Sequence, residues 1–162
     1  RTRGEVRWSR PGKSNPIPWS TEGARMLVYQ KGAILQEEES PKIRRAGGAS
    51  TTQMVTPRCG AEAFLNGFTD IPPGAAIPLH FHNCEESVLI VRGRATVEID
   101  GETFSASAGD VTWLPRDVPH RFINPSDSEN LRIFWTYASV SATRTLVETG
   151  ETGAVLAEHP VE

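Results

Sequence analysis

Between residues 50 and 138 the chain is cut into short runs of β-branched and apolar residues, separated by Gly, Pro, Asn and Asp. The runs fall at 51–55, 61–70, 87–92, 95–99, 102–105, 111–114, 121–123 and 131–138. Many short strands, with no amphipathic helix of normal length before residue 140, predict an all-β sandwich or barrel. Asp100-Gly101 lies between two alternating runs and marks a hairpin, because the tight turn wants positive φ at both central positions. Gly93 marks the turn between the two preceding runs.

The flanks differ in character. Residues 1–20 hold Pro11, Pro16 and Pro18 with little apolar content, and they read as an extended arm. Trp8 and Trp19 favour docking of that arm on a partner subunit over a frayed terminus. Residues 26–29 form a short apolar run that suits a strand. Residues 36–40 read as a solvated charged loop and 46–50 as a loop. Residues 143–157 suit a short helix or a tail. The organisation expected is an N-terminal arm with edge strands over 1–49, a barrel over 50–138 and a tail or short helix over 139–162.

Composition excludes several classes. A length of 162 residues at 38% hydrophobic content suits one core and one domain. With 17 basic and 20 acidic residues and a net charge of −3, no basic stripe for nucleic acid is expected. No apolar run approaches the ~20 residues of a membrane span. Two cysteines, Cys59 and Cys84, are too few for a disulfide scaffold, and a cytoplasmic protein is the expectation.

Three of the four histidines fall in two compact clusters. The first is His80-Phe81-His82-Asn83-Cys84-Glu85-Glu86. In an extended chain, residues two apart share a face, so His80, His82 and Glu86 converge while Glu85 points away. Two imidazoles and a carboxylate on one concave face suit a divalent transition metal. His120, on a later strand, supplies a fourth donor if sheet pairing brings it across. A His-x-His alone is common by chance, and His120 alone is most simply a polar turn residue. The case rests on their surroundings.

Those surroundings resemble the cupin superfamily. Its first motif is Gly, five residues, His-x-His, three or four residues, Glu, six residues, Gly; Gly74, His80, His82, Glu86 and Gly93 fill every fixed position. Its second is Gly, five residues, Pro-x-Gly, two residues, His, three residues, Asn. Gly109, Pro115, His120 and Asn124 fill it, with Asp117 in place of the middle Gly. Asp tolerates positive φ, so the turn is expected to survive. The resemblance implies a cupin-type double-stranded β-helix, a jelly-roll barrel, with the extended arm added. It also implies His80, His82, Glu86 and His120 as metal ligands.

Three neutral imidazoles and one carboxylate leave a divalent ion with a net charge of about +1 and about two open positions. Fe, Mn, Zn, Ni and Co all suit such a donor set. Strand parity places Phe64, Asn66, Phe68, Val88, Ile90, Phe122 and Asn124 as the substrate pocket. On 131–138, Leu131, Ile133, Trp135 and Tyr137 form the apolar face expected in the core; an inward Arg132 would suggest a carboxylate substrate. Cys84 and Cys59 read as small structural residues. The expected function is a metal-dependent enzyme acting on a small organic molecule. Dioxygenase-type oxidation is favoured, with Glu86 also able to accept a proton; isomerase, decarboxylase and lyase chemistry also occur on the fold. The alternative is a binding or sensor protein that uses the metal as an anchor. A small-molecule ligand and a homodimer are the expected partners.

Overall fold

The computed structural model describes residues 32–157. The expected arm over 1–20 and the strand at 26–29 lie outside the described residues. Within 32–157, twelve strands build two six-stranded antiparallel sheets. The first sheet contains β1 (Lys42–Arg44), β2 (Ser50–Val55), β3 (Leu65–Ile71), β5 (Glu86–Arg92), β8 (Val111–Leu114) and β10 (Leu131–Tyr137), in the order β1-β2-β3-β10-β5-β8. The second contains β4 (His80–His82), β6 (Arg94–Ile99), β7 (Glu102–Ser107), β9 (His120–Ile123), β11 (Thr143–Leu146) and β12 (Thr152–Ala154), in the order β12-β11-β4-β9-β6-β7. Neighbours in each sheet are mostly distant in sequence. This is the jelly-roll arrangement of the all-β reading.

Alternation along each strand packs the two sheets face to face. β10 buries Leu131, Ile133, Trp135 and Tyr137, the apolar face expected from its sequence. β3 buries Leu65, Gly67, Thr69 and Ile71. Gly67 is required there: a Cβ at that position would lie 2.6 Å from the Trp135 indole, closer than any side chain tolerates. Asp100 and Gly101 close the β6–β7 hairpin with φ of 49° and 82°, as the turn type demands. Asp117 takes φ 62° in the place of the motif glycine.

Two segments differ from the sequence reading. Residues 61–64 precede β3 rather than starting it. The segment 143–157, read as a short helix or tail, is the hairpin β11–β12 followed by a 3₁₀ turn at Val155–Ala157. It adds to the edge of the second sheet, where β11 pairs with β4. Four-residue and three-residue strands carry too few residues for their period to show. Among the described residues, no helix is long and apolar enough to cross a membrane.

Candidate metal centre and its cavity

The site is assembled across the gap between the sheets. His80 and His82 stand on β4, and His120 pairs directly with His80 on the neighbouring β9. Glu86 begins β5 in the opposite sheet, paired with Tyr137 and Leu114. The sequence argument placed Glu86 beside the histidines by continued parity. The physical reason is different: the chain turns at residues 83–85, and Glu86 meets the histidines from the facing sheet. All four residues are buried, and one donor atom from each lies within 4.8 Å of the others.

Backbone carbonyls fix the imidazole orientations. Nδ1 of His80 lies 2.7 Å from the Pro78 oxygen, Nδ1 of His82 2.8 Å from Thr143, and Nδ1 of His120 2.9 Å from Val118. A carbonyl only accepts, so each Nδ1 carries a hydrogen and each Nε2 presents a lone pair to the centre. Burial lowers the pKa of His80 well below its usual value, and the neighbouring His120 and His82 lower it further. Burial also lowers His82, against the opposing pull of Glu86.

This arrangement is costly by itself. Nε2 of His82 is buried without a hydrogen-bond partner. Nε2 of His120 faces Glu86 Oε2 at 2.9 Å, and His82 Nε2 lies 3.5 Å from the same oxygen. Acceptors aimed at acceptors stay unsatisfied unless a proton or a metal cation joins them, and the unpartnered His82 Nε2 is the donor left over. A divalent ion satisfies all four donors at once, and backbone groups that hold the far ring nitrogens are the usual support of such a site. The cluster therefore suits a divalent metal ion; the donor types do not select which one.

A cavity of about 90 Å³ opens beside the cluster, lined in part by His80, Glu86, Phe122, Ile133, Trp135 and Tyr137. That exceeds the ~10–15 Å³ that one water needs, and leaves room for a small organic group. The Tyr137 hydroxyl donates to the Glu86 carboxylate; burial first and that carboxylate second hold its pKa well above the phenol range.

The pocket expected from sequence is only partly recovered. Phe122 lines the cavity. Val88 and Ile90 are buried but pack within the core rather than on the cavity wall. Asn124 is a structural residue: its Nδ2 donates to the Ile71 and Glu129 oxygens, and its Oδ1 accepts from Ser126 N. Phe64, Asn66 and Phe68 face away. Phe64 is exposed and precedes β3; Asn66 Oδ1 accepts from Val55 N on the outer surface; Phe68 packs on Phe134 and under Arg132. The error was one of parity. The apolar-looking aromatics mark the outer face of β3, and the inner face is set by Gly67 and Thr69, which make room for Trp135. Arg132 also points outward, with Glu37 at 2.6 Å and Asp70 at 3.5 Å. Cys84 is half-buried against the core, and Cys59 Sγ sits 3.1 Å from the Thr56 oxygen.

Sequence reasoning missed Arg45 and Arg144, which line the cavity. Arg45 lies in the stretch 1–49, read as an N-terminal arm with edge strands. Arg144 lies in the segment read as a short helix or tail, and its four-residue strand, evenly half-buried along its length, carries no alternation that would have signalled it.

Comparison with known proteins agrees with this geometry. Residues 67–137 match the family model described as "Cupin domain". The chain is 34% identical over 102 residues to "Polyketide synthase CurC" of Streptomyces cyaneus, covering 62% of this chain and 66% of that protein. It is 30% identical over 109 residues to "Protein SchB" of Streptomyces halstedii, covering 67% of this chain and 79% of that one. Among solved structures, the polyketide cyclase RemF from Streptomyces resistomycificus superposes with a TM-score of 0.62 at 18% identity, covering 80% of this chain and 89% of its own. That likeness bears on the fold.

Proposed function

Because the chain belongs to the cupin superfamily and keeps all four ligand-type residues in one buried cluster, we propose that it is a metal-dependent enzyme acting on a small organic molecule. The convergence of His80, His82, Glu86 and His120 on one point carries this reading. When bound there, a divalent ion supplies Lewis-acid polarisation of substrate oxygens, or redox chemistry if the ion is redox-active. The substrate class best supported is a polyketide-like molecule with neighbouring keto groups. Such oxygens chelate, the cavity lining is largely apolar, and the relative of 34% identity carries a polyketide synthase name.

This chain's residues then divide the work. The three imidazoles hold the ion through Nε2 while their Nδ1 hydrogens stay on backbone carbonyls. Glu86 serves as a ligand and as the group that accepts a substrate proton, and the Tyr137 hydroxyl donates to it and steadies its charge. Phe122, Ile133 and Trp135 exclude water. On an acidic methylene between two carbonyls, removal of that proton lets the carbon attack a remote keto carbon of the same chain, forming the ring C–C bond; the keto oxygen takes up that proton and, with a second proton lost from the new ring carbon, leaves as water.

The same apolar lining favours a second reading, the dioxygenase-type oxidation, since oxygen partitions into apolar space. The homodimer expected from the sequence stays part of the proposal; a single monomer mass in solution overturns that part.

The test is elemental analysis of protein purified without a nickel step, with His120→Ala as control, followed by incubation with a linear poly-β-keto thioester in air. About one equivalent of metal, lost in the variant, is expected. Mass spectrometry separates the chemistries: loss of water marks cyclisation, and gain of both atoms of O₂ marks dioxygenation. Sub-stoichiometric metal unaffected by His120→Ala overturns the enzyme reading. Stoichiometric metal that anchors a ligand without turnover identifies a binding or sensor protein.

A further inference from the structure

The outer face of the first sheet carries a row of cross-strand partners. Phe68 pairs with Phe134, Phe134 with Leu89 and Leu89 with Val111, on β3, β10, β5 and β8 in turn. Paired residues of antiparallel strands project from the same face, so the row forms one apolar band. The chain itself covers one end of that band. The Arg132 guanidinium lies 4.4 Å from the Phe68 ring centre, and Glu37 holds that arginine at 2.6 Å. The β8 end is bare: Trp113 is 66% exposed and Val111 62%, with Leu89 and Val91 also exposed beside them.

The bare end is also an open strand edge. Among the described residues, β8 ends its sheet and pairs with β5 alone. Ile90 N–H donates to the Asp110 oxygen at 2.9 Å, and Val88 stands opposite Thr112. Hydrogen-bonded residues alternate along an antiparallel ladder, so Val111 and Trp113 turn their N–H and C=O groups away from β5, to the open side. The other three sheet ends carry the usual guards against strand addition. β1 holds the exposed Lys42 and Arg44, β7 begins with the exposed Glu102, and β12 is three residues long with Gly153 at its centre. The strand Val111–Leu114 has no charge, no proline and no bulge.

We propose that β8 pairs antiparallel with β8 of a second copy of this chain, about a two-fold axis through Thr112. The inference rests on the homodimer of the reading above and gives it a surface. This axis sets Val111 opposite the partner's Trp113 and Trp113 opposite the partner's Val111, and each pair exchanges two backbone bonds. An axis through Trp113 would set Val111 against the partner's Pro115, which has no N–H. An axis through Val111 would set Trp113 against the partner's Gly109, whose φ of 97° is not that of a strand. The Thr112 axis therefore uses every open donor of β8. It also lays a large ring beside a small side chain at both ends and places no like charges opposite. The four exposed side chains leave roughly 400 Å² of apolar surface, about half of the ~800 Å² that a standard interface takes from each partner. Gly109, Asp110 and Pro115, at the strand ends, add to it in this register. An interface of this modest size gives a dissociation constant in the micromolar range.

The experiment is sedimentation equilibrium of the full chain from about 1 to about 200 µM, a range that brackets such a constant. Wild type is expected to pass from monomer to dimer across it. Trp113→Lys and Val111→Lys are each expected to give the monomer mass throughout, because a charge on an edge strand blocks its pairing. Both side chains are exposed, so far-UV circular dichroism and metal content should match wild type. A third variant reads the register. The axis sets the two copies of residue 112 opposite each other with Cα atoms about 4.5 Å apart, within disulfide range. Under mild oxidation Thr112→Cys is expected to yield a covalent dimer, and wild type and Glu102→Cys on the charged edge are not. A monomer mass for wild type at every concentration overturns this inference and the homodimer reading together. A dimer that survives both lysine substitutions, or one that Thr112→Cys fails to cross-link, overturns the pairing of β8 and leaves the homodimer reading standing.

Discussion

His82 holds its Nδ1 hydrogen on the carbonyl oxygen of Thr143, 2.8 Å away and 61 residues later in the chain. The C-terminal hairpin is thus part of the candidate metal centre. It fixes the tautomer of one ligand, and through Arg144, the next residue, it also builds the cavity wall.

Loosening that hairpin should weaken the metal. Asn83 ties it down: Nδ2 donates to the Ser141 oxygen at 3.2 Å, and Oδ1 accepts from Thr143 N at 2.8 Å. Asn83→Ala is expected to cost about 1 kcal/mol of stability. It should also lower metal affinity, by less than the 10–100-fold typical of losing a direct support of a ligand. Competition with a chromophoric chelator checks this; unchanged affinity would show that the Thr143 carbonyl is held without Asn83.

Acid should destabilise the metal-free protein through its buried histidines. His80 and His82 have folded pKa values below the ordinary 6.5 because burial disfavours their charged forms. The unfolded chain therefore takes up protons first as pH falls. Their contribution is complete above the unfolded value and is lost as pH drops through about 6.5 toward the lowered folded values. Thermal midpoints of metal-free protein should fall between pH 7.5 and 5, and saturating metal should raise the midpoint at each pH. A flat profile in the metal-free protein contradicts this.

Gly67→Ala should be poorly tolerated although it adds one methyl group. The new Cβ runs into the Thr52 backbone oxygen of β2 first and the Trp135 ring next, at 2.6 Å, so β2 must shift as well as the indole, and with the indole the bond from Trp135 Nε1 to Thr69. Overpacking of this kind costs roughly 1–3 kcal/mol. Denaturant unfolding measures it, and a shifted tryptophan emission is expected alongside.

Asn124→Ala separates structure from pocket. Losing the bonds to Ile71, Glu129 and Ser126 leaves the buried Ile71 carbonyl unpaired and two part-buried groups to solvent, at a cost of roughly 1–3 kcal/mol. Metal content and ligand affinity of the folded variant should match wild type. A selective loss of ligand affinity with normal stability would return Asn124 to the pocket.

Asp117 stands in the left-handed region at φ 62°. Asp117→Gly should be neutral or slightly stabilising, whereas Asp117→Val should lose about 1–2 kcal/mol relative to Gly, because a β-branched side chain crowds the backbone there. Thermal melts of the pair decide it.

The sequence by itself determined the strand runs, the Asp100-Gly101 turn, the inward face of β10 and the four donor residues. Each of these is written locally, in alternation of period two or in a motif of fixed spacing. What only the tertiary structure decided are the relations between segments far apart in the chain. Residues 83–85 turn, so Glu86 reaches the histidines from the opposite sheet rather than along one strand. β3 faces inward through Gly67 and Thr69 rather than through its aromatics, because the Trp135 ring claims the space. Asn124 bonds backbone instead of lining the cavity. Strands as short as β11 and β12 gain their order from pairing with β4 and each other, and their own residues carry too little pattern to announce it. Arg144 reaches the cavity for the same reason: pairing of β11 with β4, a long-range interaction, sets its place.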